Sequence, residues 1–433
     1  MVDVIFALAV LGVIMILGFI GNLIFNRTQV PSIIWLLLFG LIVGFVFKIE
    51  EFQMLHPELL MTISGFFSAI AIVIILFDGG INTDIYQLFK GAPRGLLLTV
   101  CGFCLSFLST LLLIVGFDSI GVIHIQGDSF VVGAVLGAII GGTSSPIVIP
   151  LAYRLRNLQE KTKMVSSIES ILTDPLCIVV VFAIYYMITV VGEINLGVGI
   201  GNLVKTFSVG IVLGFTLGFI WLFIMNKVRK EQFSYVLTLA VVFLVYSFTT
   251  WVVGVGEGGE GAGAISCLMF GLVLGNGKKI LKMVRYEGKS FEMDEETKHF
   301  HALTAFVIRT FFFVYLGMMV SFQNIDFILI GMVILLLLIV VRYIAVSITT
   351  YKGGFEKDDK QTLMVMMPRG LAAAILAIKF GPEFVNKYMP GYTGFFKDIA
   401  FVIILGTAVI TTIGVSVISH YEMKKLNTAE VAK

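Results

Sequence analysis

The sequence predicts an all-α polytopic membrane protein, and three observations predict it. Hydrophobic residues make up 58% of the chain and charged residues 13%, a balance that ordinary soluble domains do not show. The apolar residues gather into thirteen runs, each of a length that crosses a hydrocarbon layer about 30 Å thick. The connections between these runs alternate between rich and poor in Lys and Arg. The net charge of +2 is too small to mark a nucleic-acid binder, so the placement of charges carries the information.

The runs follow in order. Segment 4–25 is long enough to span and has no small-residue cleavage site behind it, so it reads as a span rather than a leader. Arg27 links it to 31–48, and Glu50 to Glu58, free of Lys and Arg, leads to 59–79. Lys90 and Arg94 precede 95–117, and Asp118 to Asp128 precedes 129–152. Arg154, Arg156, Lys161 and Lys163 separate that run from 164–190, and the uncharged-to-acidic Gly192 to Asn195 leads to 199–225. Lys227, Arg229 and Lys230 precede 233–253, and the glycine-rich Gly254 to Gly259 precedes 260–276. The longest polar link carries Lys278, Lys279, Lys282, Arg285, Lys289 and Lys298 into 300–321. Ser321 to Asp326 leads to 326–350, and Lys352, Lys357 and Lys360 lead to 361–380. A loop with Lys387 and Lys397 is a mild exception before 395–418, and the tail holds Lys424, Lys425 and Lys433.

The positive-inside rule then places the N-terminus outside and the C-terminus in the cytoplasm of a plasma (inner) membrane. An odd number of spans requires opposite ends, in agreement. The polar links are too short for a soluble regulatory domain, so 1–433 reads as a single membrane unit.

Two runs are broken near their middles. The fifth carries Gly141, Gly142, Thr143, Ser144, Ser145 and Pro146 together; the twelfth carries Pro368, Arg369 and Gly370. Proline removes a backbone donor and glycine loosens the helix, so both should unwind and expose backbone polar groups. Their ordinals differ by seven, so they cross in opposite directions. Interrupted helices at matching places of two inverted halves point to the binding site of a secondary transporter.

The sixth run places an acid at depth. Asp174 lies about 15 Å from Met164 along a helix, near the bilayer middle. A carboxylate there is costly and is read as functional. Ser166, Glu169, Ser170, Thr173, Asp174 and Cys177 share one helical face. Stacked oxygens suit a dehydrated monovalent cation, and Pro175 frees the carbonyl of Ile171 as a further oxygen. Asp174 can hold a proton or a cation, the minimum that exchange requires.

Other polar residues within or beside spans have plainer readings. Arg309, Arg342 and Arg369 each need a partner or water, and depth allows an ion pair of Glu169 with Arg342 or Arg369. Asp78 is expected at a helix end, Glu257 and Glu260 in a solvated turn, and His299 and His301 at an interface. The four cysteines, including the closely spaced Cys101 and Cys104, are expected as small core residues.

These residues also carry a resemblance. Glu169 to Pro175, ESILTDP, resembles the Glu-Ser-x-x-Asn-Asp signature of NhaP-type sodium/proton antiporters, with Thr173 at the Asn position. GAIIGGTSSP resembles that family's Thr-Asp-Pro break, with Ser144 and Ser145 at the Thr and Asp positions. VPSIIWLLLFGLIVG, LFDGGINTD, GAISCLMFGLVLGN, VIRTFFFVYLGMMV, VVRYIAV and PRGLAAAILA extend the match in order along most of the chain. The resemblance places the chain in the monovalent cation/proton antiporter superfamily, with an antiporter fold of inverted repeats and two broken crossing helices.

By that resemblance Asp174 is the proton and cation carrier, with Thr143, Ser144, Ser145, Ser170 and Thr173 as ligands for Na⁺ or K⁺. Glu169 pairs with Arg342, and Arg369 belongs to the same structural set. The resemblance implies pH homeostasis as the role, no cofactor, and a homodimer. A core domain, about 59–190 with part of 300–418, would move against a dimerisation domain of the remaining helices. Ser145 stands where a carboxylate often helps bind the cation, which leaves Na⁺ and K⁺ both open. A lone acid next to neutral Thr173 predicts electroneutral exchange. A proton-uncoupled cation channel and a transport-inactive sensor are the alternatives. No nucleophile, metal cluster or nucleotide motif points to an enzyme.

Overall fold

The computed structural model describes residues 2–28, 30–47, 57–155, 158–192, 196–228, 233–283, 295–320, 324–392 and 394–431. All regular structure among them is helical. The α-helices are α1 (Val2–Thr28), α2 (Ser32–Phe47), α3 (Pro57–Ile81), α4 (Ile85–Ser119), α5 (Ser129–Ile140), α6 (Ser145–Arg154), α7 (Glu160–Tyr186), α8 (Leu196–Val228), α9 (Ser234–Val253), α10 (Gly259–Gly275), α11 (Gly277–Met283), α12 (Glu295–Met319), α13 (Ile325–Thr350), α14 (Lys357–Val365), α15 (Leu371–Tyr388) and α16 (Phe395–Val431). A π-helical turn, Met187–Val191, extends α7.

Nine described stretches are long and apolar enough to cross a membrane, and four shorter apolar helices join them: Ser32–Val46, Phe66–Ile81, Gly259–Gly275 and Leu371–Pro382. These fall on the thirteen expected runs. The fifth run divides into α5 and α6 and the twelfth into α14 and α15, as their Gly and Pro content required. Helices α4 and α16 continue past their apolar parts to 35 and 37 residues, because polar residues outside the bilayer are free to stay helical. The charged positions Arg156, Arg229, Lys230, Arg285 and Lys289 lie outside the described residues, as do 48–56, 193–195 and 321–323.

The chain forms two compact units. The first comprises Met1–Met61, Gly91–Thr173 and Thr310–Lys433. Inside it α5 is buried at every residue from Val131 to Ile140, the pattern of a helix apolar all round and enclosed on all sides. It lies against α4, where a methyl group on Gly137 would come 2.7 Å from the Phe107 carbonyl oxygen. Helices α2 and α12 approach equally closely at Gly40, Gly44 and Gly317. Small residues that bring backbones together replace the hydrophobic effect, which lipid cannot supply between helices.

The second unit comprises Thr62–Lys90 and Asp174–Arg309. Helix α10 is its hub. Gly210 and Gly214 of α8 face Ala262 and Ser266 of α10, and Gly80 of α3 faces Leu268. Phe77, Trp221, Leu222, Val242 and Phe270 fill the space around it. The turn before α10 has left-handed backbone at Gly254, Gly256 and Gly258, which only glycine adopts without strain.

Two plainer readings change. Cys104 is exposed on the surface of its unit rather than a core residue, while Cys177 and Cys267 are buried and Cys101 is intermediate. Helix α4 turns one side outward, and Cys104 falls on that side with Leu108 and Leu112. His301 is not interfacial: it is 2% exposed, with its ring edge-on to Phe77 at 5.0 Å. Helix α12 begins at Glu295, ahead of the apolar run, and places His301 on its buried side.

Candidate functional site

The two breaks touch. After α5 the chain runs through Gly141, Gly142 and Thr143 to Ser144, the extended N-cap of α6. After α14 it runs through Met366, Met367, Pro368 and Arg369 to Gly370, the extended N-cap of α15. The N–H of Ser144 donates to the carbonyl of Pro368 at 2.8 Å. A methyl group on Gly370 would stand 2.5 Å from Ser144 Cβ, so only glycine permits this approach.

Unwound backbone buried in a membrane protein must be satisfied by protein, and here the partners are identifiable. In the first break, Thr173 Oγ1 accepts the N–H of Thr143 at 3.0 Å and donates to its carbonyl at 3.2 Å. Arg369 donates to the carbonyls of Gly141 and Gly142 at 2.9 and 2.7 Å, and to Ser106 Oγ on α4 at 3.2 Å. In the second break, the N–H of Arg369 donates to Thr407 Oγ1 at 2.9 Å. Thr411 Oγ1 donates to the carbonyl of Val365 at 2.9 Å.

Arg342 completes a recurring arrangement. It donates through Nε to the carbonyl of Leu363 at 2.8 Å and through a terminal nitrogen to that of Met366 at 2.6 Å. Both carbonyls belong to the end of α14. Each interrupted helix therefore ends its first half on a guanidinium: α5 on Arg369 and α14 on Arg342. Free carbonyls make a helix C-terminus negative, and an arginine there offsets that partial charge. Arg342 also pairs in bidentate fashion with Glu169, whose two oxygens meet its two terminal nitrogens, one at 3.0 Å. Glu169 and Arg342 are 2% and 6% exposed, so the ion pair is enclosed. Depth alone allowed Glu169 either arginine; the structure gives it Arg342, while Arg369 serves carbonyls.

Asp174 follows Thr173 directly on α7 and precedes Pro175, which removes one helical donor. It is buried, at 6% exposure. Among the described residues its carboxylate takes no ion-pair or hydrogen-bond partner. Ser144, Ser145 and Ser170 are buried as well; the Ser170 hydroxyl donates to Ser167 of its own helix at 3.1 Å and keeps its lone pairs. Thr173 differs from these serines, since its hydroxyl is committed to the Thr143 backbone. The chemistry on offer at Asp174 is a buried carboxylate that can take a proton or a monovalent cation.

A family model described as the transmembrane sodium/hydrogen exchanger matches residues 11–420. The chain belongs to the sodium/hydrogen exchanger family. Within reach of this family lies the K(+)/H(+) antiporter NhaP of Alkalimonas amylolytica, 23% identical over 376 residues. That match takes in 85% of this chain and 59% of the relative, so the chain spans about three fifths of that protein's length. Among solved structures, the chain resembles the sodium proton antiporter MjNhaP1 from Methanocaldococcus jannaschii at pH 8, with a TM-score of 0.74 and 23% identity. The alignment covers 96% of this chain and 99% of the other. A second structure of MjNhaP1, from an electron-microscopy map, gives 0.71 at 22% identity, with 96% of each covered. At these identities the likeness establishes the fold: a multi-pass helical antiporter architecture.

Sequence reasoning missed three partners of the two breaks: Ser106, Thr407 and Thr411. Thr407 and Thr411 stand four apart in a largely apolar run, on one face of α16. That spacing was the available signal. Ser106 stands with Ser109 and Thr110 in α4, and nothing in the sequence sets it apart from its neighbours.

Proposed function

We propose that this exchanger carries a monovalent cation one way and a proton the other by alternating access, with Asp174 as the carrier. The observation that supports this most is a buried carboxylate without a protein partner, placed one residue after the threonine that fastens the first break. A structural acid in such a setting would be paired, as Glu169 is. A carrier must instead stay available to its cargo. Ser144, Ser145 and Ser170 supply further oxygens to the cation, and Thr173 with Thr143 holds the unwound chain in place.

One acid that exchanges one proton for one cation moves no net charge, so the stoichiometry is 1:1 and electroneutral. Na⁺ and K⁺ both fit an all-oxygen site. The relatives' names divide the same way, one a K(+)/H(+) antiporter and the other a sodium proton antiporter. The protein acts as a homodimer in the plasma (inner) membrane, with its N-terminus outside and C-terminus in the cytoplasm. A core domain built on the broken helices shifts against a dimerisation domain.

The test is proton movement in proteoliposomes, driven by gradients of each alkali cation across a pH series. Asp174→Asn should fold and give no cation-driven proton flux. Retained exchange in that variant would remove Asp174 as carrier. Cation flux without proton coupling in the native chain would favour a channel, and no flux at all a sensor on this fold.

A further inference from the structure

Within the first unit, the pattern that ends α5 on Arg369 and α14 on Arg342 occurs a third time, away from the breaks. Helix α13, which carries Arg342, ends on Arg94 of α4. That guanidinium donates to the carbonyls of Thr349 and Tyr351 at 2.6 and 3.0 Å, where a helix C-terminus is negative. The turn that follows meets a second cation. Lys161 Nζ, from the first turn of α7, donates to the carbonyls of Gly353, at 3.3 Å, and Gly354. It also stands 4.6 Å from the centre of the Phe355 ring. Phe355 is buried with Leu98 of α4, Val165 of α7, Ala345 and Val346 of α13 and Leu363 of α14. Gln159, just before α7, holds the start of α14: its N–H donates to Asp359 at 3.2 Å and its side-chain amide to Glu356 at 2.8 Å. Lys352 in this turn has a φ of +49°, a left-handed backbone that a non-glycine residue keeps only where its surroundings impose it.

These bonds set where Arg342 stands. Helices α4 and α7 form the frame. A methyl group on Gly95 would come 2.7 Å from Ile168 Cβ, and one on Gly102 would come 3.6 Å from Glu169 Oε1. The two helices therefore stay in contact from Arg94 to the depth of Glu169. Helices α13 and α14 are tied to this frame at two levels. One is the turn, held by Arg94, Lys161 and Gln159. The other is the ion pair of Arg342 with Glu169, about 12 Å further along α7 from Lys161. One level alone would let α14 tilt about its attachment; two fix its far end. That end is Leu363 and Met366, whose carbonyls Arg342 holds. The second break starts there and leads to Pro368, whose carbonyl takes the N–H of Ser144.

We propose that Arg94 and Lys161 are positioning residues for exchange. They act through α13 and Arg342 and set the place of the second break against the first. The inference rests on exchange at the breaks as proposed above.

The experiment measures amide hydrogen exchange and cation-driven proton flux on the same full-length variants in the same lipid. Arg94→Gln should speed exchange of the amides of 363–370 about tenfold, the size expected when hydrogen bonds to a charged group are lost. The half-saturating cation concentration should rise about threefold, as for contacts that modulate a site from a distance, with a smaller change in maximal rate per folded molecule. Arg94→Lys and Lys161→Arg keep a cation on the same carbonyls and should return both readouts toward native. A residue that only stabilises the fold would lower the folded fraction and the maximal flux and leave half-saturation where it was. Lys161→Met removes the outer grip alone and should move both readouts in the same direction, so the test stands even where Arg94→Gln fails to fold. Unchanged protection at 363–370, unchanged half-saturation, or no recovery in the conservative variants would overturn the proposal. Failure of Asp174 as carrier reads differently, as retained exchange in Asp174→Asn.

Discussion

Glu169 and Asp174 are five residues apart on α7, both carboxylates and both buried, yet their surroundings separate their roles. Glu169 meets Arg342 through two parallel hydrogen bonds, the strongest geometry available to an ion pair. Removing one partner of an enclosed pair leaves the other charge uncompensated. Glu169→Gln should therefore cost about 3–5 kcal/mol of stability, read as a drop in unfolding free energy in detergent. Asp174→Asn removes a group without a partner and should leave stability almost unchanged while exchange falls to background. Thermal unfolding and liposome flux, measured on the same two variants, separate structure from transport. The signature Glu-Ser-x-x-Thr-Asp made both acids visible in the sequence. The choice of Arg342 over Arg369 was not visible, since both lie at similar depth and only packing fixes which one reaches α7.

At the scale of elements, the interrupted helices depend on borrowed partners. Thr407 Oγ1 accepts the N–H of Arg369, and Thr407→Val would leave that donor buried and unmatched. The cost should be about 1–3 kcal/mol. A larger loss should appear in transport, because Arg369 also holds the end of α5. Gly370 tests the contact between breaks. Gly370→Ala puts a methyl group against Ser144, and overpacking of this kind costs about 1–3 kcal/mol. Here it would force the two unwound segments apart, so exchange should fall in proportion more than thermal stability. An alanine variant with native flux would show that the contact between Gly370 and Ser144 does not constrain transport. The breaks themselves were legible from Gly141, Gly142, Pro146, Pro368 and Gly370, because proline and glycine act through their own backbones. Their partners were not, because a threonine in an apolar helix looks the same whether it satisfies its own turn or a neighbour's.

For the whole molecule, the proposed single-acid mechanism makes a prediction that no individual residue makes. Exchange should be insensitive to membrane potential: clamping the potential across proteoliposomes should change the initial rate by less than about twofold, whereas one uncompensated charge would couple to about 2.3 kcal/mol per 100 mV. A rate that follows the clamped potential would mean that a second charge moves with the cation. The helices of the described residues are of two kinds. Some, such as α5 and α10, are buried almost throughout; others, such as α1, α8 and α13, carry a row of exposed apolar side chains.

The sequence by itself determined the helical class, the thirteen runs, the two breaks and the acid at position 174. Each of these follows from local chemistry: hydropathy over a window, a missing amide hydrogen, or a carboxylate inside an apolar run. Tertiary structure alone decided which side chains answer the exposed backbone, which arginine holds Glu169, and that Thr173 is occupied where Asp174 is not. Those outcomes depend on which helices become neighbours. In lipid that is settled by close packing of small residues such as Gly40, Gly214 and Gly370, and no single stretch of sequence records the partner it will meet.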